Sequence, residues 1–148
     1  MKNKLLGFLT LLIALAGITG CELKYPELGN NAIAFQVGTF NNGESENYET
    51  ILYNGRTYLP YGELKGTLKT TDINSCIGYV IQKKDEVYDL DNKSVRIYTL
   101  NNDKDNNFLM QYNMESKDAY VFYRAADTEG KDIKIPKIIN SSSYNYWK

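Results

Sequence analysis

From residue 32 onward, apolar and polar positions alternate with a period of two. Ile33, Phe35 and Val37 face one way and Ala34 and Gln36 the other, the pattern of a half-buried strand. Asn41-Asn42-Gly43 interrupts it, residues 48–53 resume it, and residues 56–59 mirror it after Asn54-Gly55. Two β-rich runs around Asn-Gly predict a two-residue hairpin, because both turn residues must tolerate positive φ. Such a turn sets Tyr53 opposite Arg56 and Ile51 opposite Tyr58 on one face, with Leu52 and Leu59 on the other. Pro60 lacks an N–H and is expected to end the pairing. Residues 76–81 read as a central strand, and residues 95–100, 108–112 and 120–125 as three more. Ile133 and Ile135 flank Lys134 in an expected last short strand before Pro136. Residues 63–74 have room for one irregular or helical turn, and no later segment carries a capped helical period. The expectation is an all-β domain of about seven short strands, one antiparallel sheet closed as a small barrel or folded as a sandwich. About 115 residues make two full sheets thin, which favours the barrel.

The first 21 residues follow another pattern. Lys2 and Lys4 precede an uncharged apolar run that, counted to Gly20, reaches 16 residues, short of the ~20 a membrane-spanning helix needs. A basic start, a short apolar core and small residues at its end read as a cleaved export signal helix. Ile18-Thr19-Gly20-Cys21 resembles the bacterial lipobox. That resemblance implies diacylglycerol on the Cys21 sulfur, cleavage after Gly20, and a chain anchored to the extracytoplasmic face of the cell membrane. Two acyl chains suffice for stable anchoring, whereas one gives marginal binding. The expected layout is a signal peptide over 1–20, a lipidated tether over 21–31, a β-rich domain over 32–140 and a tail over 141–148. Trp147 in that tail either folds back over an apolar edge or lies free for a partner, and the serines at 141–143 are expected to be flexible.

Composition then removes options. The chain has no histidine, so ordinary Ser-His or Cys-His activation and an imidazole ligand for zinc are absent. Net charge is −1, and loss of Lys2 and Lys4 with the signal leaves −3, with no basic footprint for nucleic acid. Cys76 is left single if Cys21 carries lipid. It reads as a small buried hydrophobe, or else as a reactive thiol or intermolecular bridge.

The stretch Tyr53-Asn54-Gly55-Arg56-Thr57-Tyr58-Leu59-Pro60 resembles the hairpin of copper-amine-oxidase-N-like domains on secreted proteins of Gram-positive bacteria. Those domains continue into a helix with a recurring arginine and a Leu-Gly end. Here the chain runs Tyr61-Gly62-Glu63-Leu64-Lys65-Gly66, so the likeness is one of turn chemistry. Taken whole, the chain resembles the small lipoproteins of such bacteria, which carry no settled activity to transfer.

Three clusters invite chemistry. Asn101-Asn102-Asp103-Lys104-Asp105-Asn106-Asn107 offers oxygens at alternate positions, as calcium requires, but lacks the glycine and glutamate of an EF-hand-like loop and reads better as a polar hairpin turn. No metal or cofactor is therefore assigned. Asp85, Glu86, Asp89 and Asp91, interleaved with lysines, read as a mixed-charge loop unless two of them face each other across a cleft. The 13 tyrosines suit the half-wet face of a sheet, and Tyr53, Arg56, Tyr58, Tyr98 and Tyr123 are the expected binding residues if that face recognises a ligand. The leading expectation is a non-enzymatic, membrane-anchored module for a protein or peptide partner of the envelope. Carbohydrate or wall-polymer recognition by the same aromatics is the alternative, and a carboxylate-based hydrolase the remote one.

Overall fold

The computed structural model describes residues 24–41, 47–84, 87–89, 92–116, 119–141 and 144–147. The expected signal helix, Cys21, the Asn42-Gly43 turn residues, Asp85, Glu86, Asp91 and the serines at 142 and 143 lie outside them. Ten strands run in chain order: β1 (Ile33–Gln36), β2 (Gly38–Asn41), β3 (Asn47–Tyr53), β4 (Arg56–Leu64), β5 (Ile73–Lys84), β6 (Val87–Asp89), β7 (Val95–Leu100), β8 (Phe108–Asn113), β9 (Tyr120–Ala125) and β10 (Ile139–Ser141). Three 3-10 turns, Thr70–Asp72, Ala126–Thr128 and Asn145–Trp147, are the helical elements among the described residues.

Asn54 and Gly55 take positive φ, 50° and 72°, and the β3–β4 register pairs Ile51 with Tyr58 and Tyr53 with Arg56. The hairpin is therefore the one its turn residues dictate. Leu52 and Leu59 share its other face but part company in environment, Leu52 being 65% exposed and Leu59 buried.

The sheet runs β1-β5-β7-β8-β9-β4-β3-β2, with β6 added to β5 and β10 to β4. One extended segment supplies both ends of that order. Its first half, β1, pairs with β5, and its second half, β2, pairs with β3. Crossing at Val37, the segment draws the two edges together, and the Phe35 and Tyr53 rings meet across the seam at 6.2 Å, nearly edge to face. The sheet is thereby nearly closed into a barrel. Closure of this kind removes the exposed edges an open sheet would leave.

Alternation then builds two apolar layers. Phe35, Ile51, Tyr58, Val80, Val95, Ile97, Leu109, Tyr123 and Ala125 fill the inside. Tyr98, Leu100, Phe108, Met110 and Phe122 point outward, yet are buried with Tyr61, Leu68, Ile73 and Ile139. Segments on either side of the strands cover them: Tyr25 before β1, Ile133 and Ile138 before β10, and Trp147 at the end. The central strands β7, β8 and β9 thus carry apolar burial on both faces.

Several expectations need correcting. The sheet is not wholly antiparallel, because β1 pairs with β5 in parallel. Among the described residues it has ten strands where about seven were expected, the additions being short pieces at seam and edges. The β3–β4 pairing stops short of Pro60, at Ile51–Tyr58, but the strand does not end there, since β4 continues to Leu64. A bulge between Pro60 and Gly62 accommodates the missing donor, while the Pro60 carbonyl accepts the Trp147 Nε1–H at 2.7 Å. Residues 133–135 do not form a strand. Ile133 packs into the outer layer and Ile135 is 40% exposed. The free edge of β4 is met three residues past Pro136, by β10. Trp147 folds back: besides its bond to Pro60, its ring lies 4.8 Å from the Arg124 guanidinium.

Among the described residues the Tyr98 hydroxyl is buried with no well-formed hydrogen bond, although the Cys76 thiol and Arg96 lie close, and burial pushes its pKa up to about 12. An unmade bond at a buried polar group costs about 1–3 kcal/mol. Tyr98→Phe is therefore expected to stabilise the fold by ~1 kcal/mol, read as a higher urea midpoint at unchanged m-value. A lower midpoint would show that the hydroxyl makes a bond worth keeping.

Candidate functional site

Strands β3 and β4 turn at Asn54-Gly55 beside the loop joining β7 to β8, and Arg56 ties the two together. Its Nη1 donates to the Asp105 carbonyl at 2.9 Å and to the Asn106 carbonyl at 3.0 Å. Nη2 donates to Asn107 Oδ1 at 3.0 Å and to Asp127 Oδ1 at 2.9 Å, and Nε reaches the same carboxylate oxygen at 3.1 Å. The Tyr58 hydroxyl donates to the Asn106 carbonyl at 2.7 Å. A planar guanidinium presents five donors in a fixed fork, which suits one loop's backbone and a neighbouring carboxylate together. The Arg56 bonds hold the Asp127 carboxyl below the usual carboxylate range. Asp127 is 57% exposed, so solvent screens the pair and its share of stability is small.

Asn101 and Asp103 of the 101–107 loop are also engaged. Asn101 Nδ2 donates to the Thr71 and Ile73 carbonyls at 2.9 and 2.8 Å, and Asn106 takes φ +48°. Asp103 is buried and accepts the Phe108 N–H at 2.6 Å. Of the oxygens that resembled calcium ligands, those of Asp103 and Asn107 therefore serve donors of the fold itself, while Asp105 is exposed. Among the described residues no three His, Cys, Asp or Glu side chains gather as a metal site.

Burial raises the Asp103 carboxyl above its usual value, with backbone hydrogen bonds from Phe108 and Asn107 opposing. A raised carboxyl binds its proton more tightly folded than unfolded. Stability from this group is then fully present below the unfolded value and is lost as pH rises through the folded one. Two substitutions separate its roles. Asp103→Ala strands a buried N–H and is expected to cost ~2 kcal/mol at neutral pH. Asp103→Asn keeps an acceptor and sheds the buried charge, so its cost is expected to be smaller, with a flatter stability profile across the acid range in urea titrations.

Around this scaffold the barrel end carries a trough. A cleft of ≈510 Å³ runs between the 101–107 loop and Asp132, Ile133 and Lys134. It adjoins a second of ≈320 Å³ that shares Asn102 and Lys134 and extends to Pro136, Lys137 and Ile138. Asn102, Lys104, Asp105, Asp132, Lys134 and Lys137 are exposed along it. Charges of both signs alternate on its walls, and no aromatic ring lines either cleft.

The five residues expected to bind a ligand are not gathered on one face. Tyr58 and Tyr123 are buried inside the barrel and Tyr98 in the outer layer. Tyr53 is half-buried against the inner layer at the seam, and Arg56 is spent on the loop. A tyrosine serves a wholly buried face here because neighbouring segments cover what alternation alone reads as the wet side. Cys76, half-buried on β5, makes no disulfide among the described residues, and burial raises its thiol pKa, which makes it a poor nucleophile near neutral pH. Of the trough residues, Lys104 lay in the loop weighed for calcium and Lys134 in the expected last strand, but neither they nor Asp132 read as binding residues. Their only signal was charge in two separate polar stretches, and nothing local says that these stretches meet.

No protein-family model, no curated protein and no solved structure matches the chain.

Proposed function

We propose that this chain is a lipid-anchored extracytoplasmic lipoprotein whose barrel is a non-enzymatic scaffold and whose loop-end trough takes a polar peptide or protein segment. The observation that carries the reading is the contrast between the two parts of the barrel. Its inside is filled by side chains from seven strands, whereas its loop end keeps an open trough of mixed charge. A filled barrel presents ligands at its rim rather than within. Alternating lysine and aspartate heads with flanking amides complement the backbone and charged side chains of a peptide. Sugar recognition rests on aromatic faces, and the trough has none, which favours the peptide over the glycan. The export signal, the lipobox-like Ile18-Thr19-Gly20-Cys21 and the absence of histidine support a surface module over a hydrolase.

Affinity capture from a detergent extract of the native envelope tests the site. Wild-type protein is expected to retain a partner that a Lys104→Glu/Lys134→Glu variant of equal thermal stability loses. Equal recovery of the same partner by both proteins would place recognition elsewhere.

A further inference from the structure

Tyr25 lies four residues beyond Cys21, in the stretch that reads as a free tether, yet it is held against the barrel. Its ring stacks on Tyr112 at 4.5 Å and 14° and meets Tyr98 at 5.8 Å. Its hydroxyl shares a 2.5 Å hydrogen bond with that of Tyr120. Tyr112 and Tyr120 stack on each other at 4.9 Å and form the last β8–β9 pair before the 113–119 turn. The clamp therefore sits toward the end of the barrel opposite the 101–107 loop.

We propose that Tyr25 docks the tether and so fixes the orientation of the barrel on the membrane, with the Tyr112–Tyr120 end of the β8–β9 pair toward the bilayer and the trough away from it. This rests on the lipid-anchor reading above. Four residues span at most ~14 Å, so a lipid on Cys21 holds the clamp within that reach of the headgroups. The six residues of β8 add roughly 20 Å before the loop end begins. The chemistry of the near end fits anionic headgroups. Arg96 pairs across from Tyr112 and donates through Nε to the Lys93 carbonyl at 3.2 Å, Lys24 adjoins the clamp in sequence, and Met114 at the turn is 45% exposed. Among the described residues of this end the exposed carboxylates are Glu27 and Glu115, against the cations Lys24, Lys93 and Arg96.

The test uses full-length acylated protein in phosphatidylcholine–phosphatidylglycerol vesicles containing a brominated quencher lipid. A dye is placed at Met114→Cys or at Asn102→Cys, each in a Cys76→Ser background. Quenching at 114 is expected to exceed that at 102 several-fold. Tyr25→Ala is expected to bring the two together, while Tyr25→Phe, which keeps the stack, preserves most of the difference. Equal quenching at both positions in acylated protein with Tyr25 intact overturns the inference alone. Protein that carries no acyl mass overturns the lipid-anchor reading and this inference with it.

Discussion

Gly78→Ala is expected to cost about 3 kcal/mol, or roughly 10 °C in Tm, the upper end of what overpacking a core usually costs. Gly78 is the partner of Ile33 in the parallel β1–β5 ladder, and it is buried. A β-carbon there would run into the Ile33 carbonyl and come within 2.7 Å of the Phe35 ring. The first obstacle is backbone and cannot swing aside, and the second is a buried ring of the inner layer. Relief would require β1 to lift from β5, and with it the segment that closes the barrel. Phe35 would then leave the interior and lose its contact with Tyr53. Gly29→Ala is the matched control. Its added carbon meets nothing within 4 Å, so its midpoint is expected to stay within experimental error of wild type. Equal stability of the two variants in thermal and urea unfolding would show that the seam is not closed as described.

Arg56→Ala is expected to cost ~2–3 kcal/mol and to loosen the candidate site as well as the fold. Hydrogen bonds from a charged donor are worth about 1.5–3 kcal/mol when their acceptors are sheltered. Here the sheltered acceptors are the Asn106 carbonyl and Asn107 Oδ1, while the exposed Asp127 adds little. Without the guanidinium the 101–107 loop keeps Tyr58 on Asn106 and Asp103 on Phe108, so it stays attached but less well fixed. Arg56→Lys is expected to recover only a minor part, since one ammonium cannot replace a planar fork serving four residues. Amide exchange across residues 104–107 separates local loosening from global destabilisation. The account expects faster exchange there than the drop in global stability explains, and uniform change would contradict it.

Local chemistry made some of this legible. Asn54-Gly55 announced its hairpin and register, and the alternation at Ile33, Phe35 and Val37 announced a strand. What alternation could not show is which neighbour a strand takes. Nothing in Ile33–Gln36 distinguishes a parallel from an antiparallel partner, and nothing before Val37 says that one segment will serve two edges. The same limit governs the tyrosines. Tyr98, Tyr112 and Tyr120 occupy outward positions that a sheet with one wet face would expose, and Tyr25, arriving from a distant part of the chain, packs over all three. Arg56 read as a residue for a ligand because three of its acceptors lie about fifty residues away and are main-chain or amide oxygens that no residue pattern marks. Ile133 and Ile135 mimicked a strand for the opposite reason. Their alternation was real, but Ile133 packs into the outer layer while Ile135 stays 40% exposed, and the pairing with β4 is made by β10 instead.

The lipid anchor is the claim on which location, partner class and orientation all depend. Intact-mass analysis and membrane fractionation of native protein beside a Cys21→Ala variant test it most directly. The account predicts a wild-type chain beginning at Cys21, carrying diacylglycerol mass and sedimenting with membranes, and a variant that keeps residues 1–20 or is released unacylated. A soluble, unacylated wild-type chain would contradict it and would leave Cys21 free to pair with Cys76.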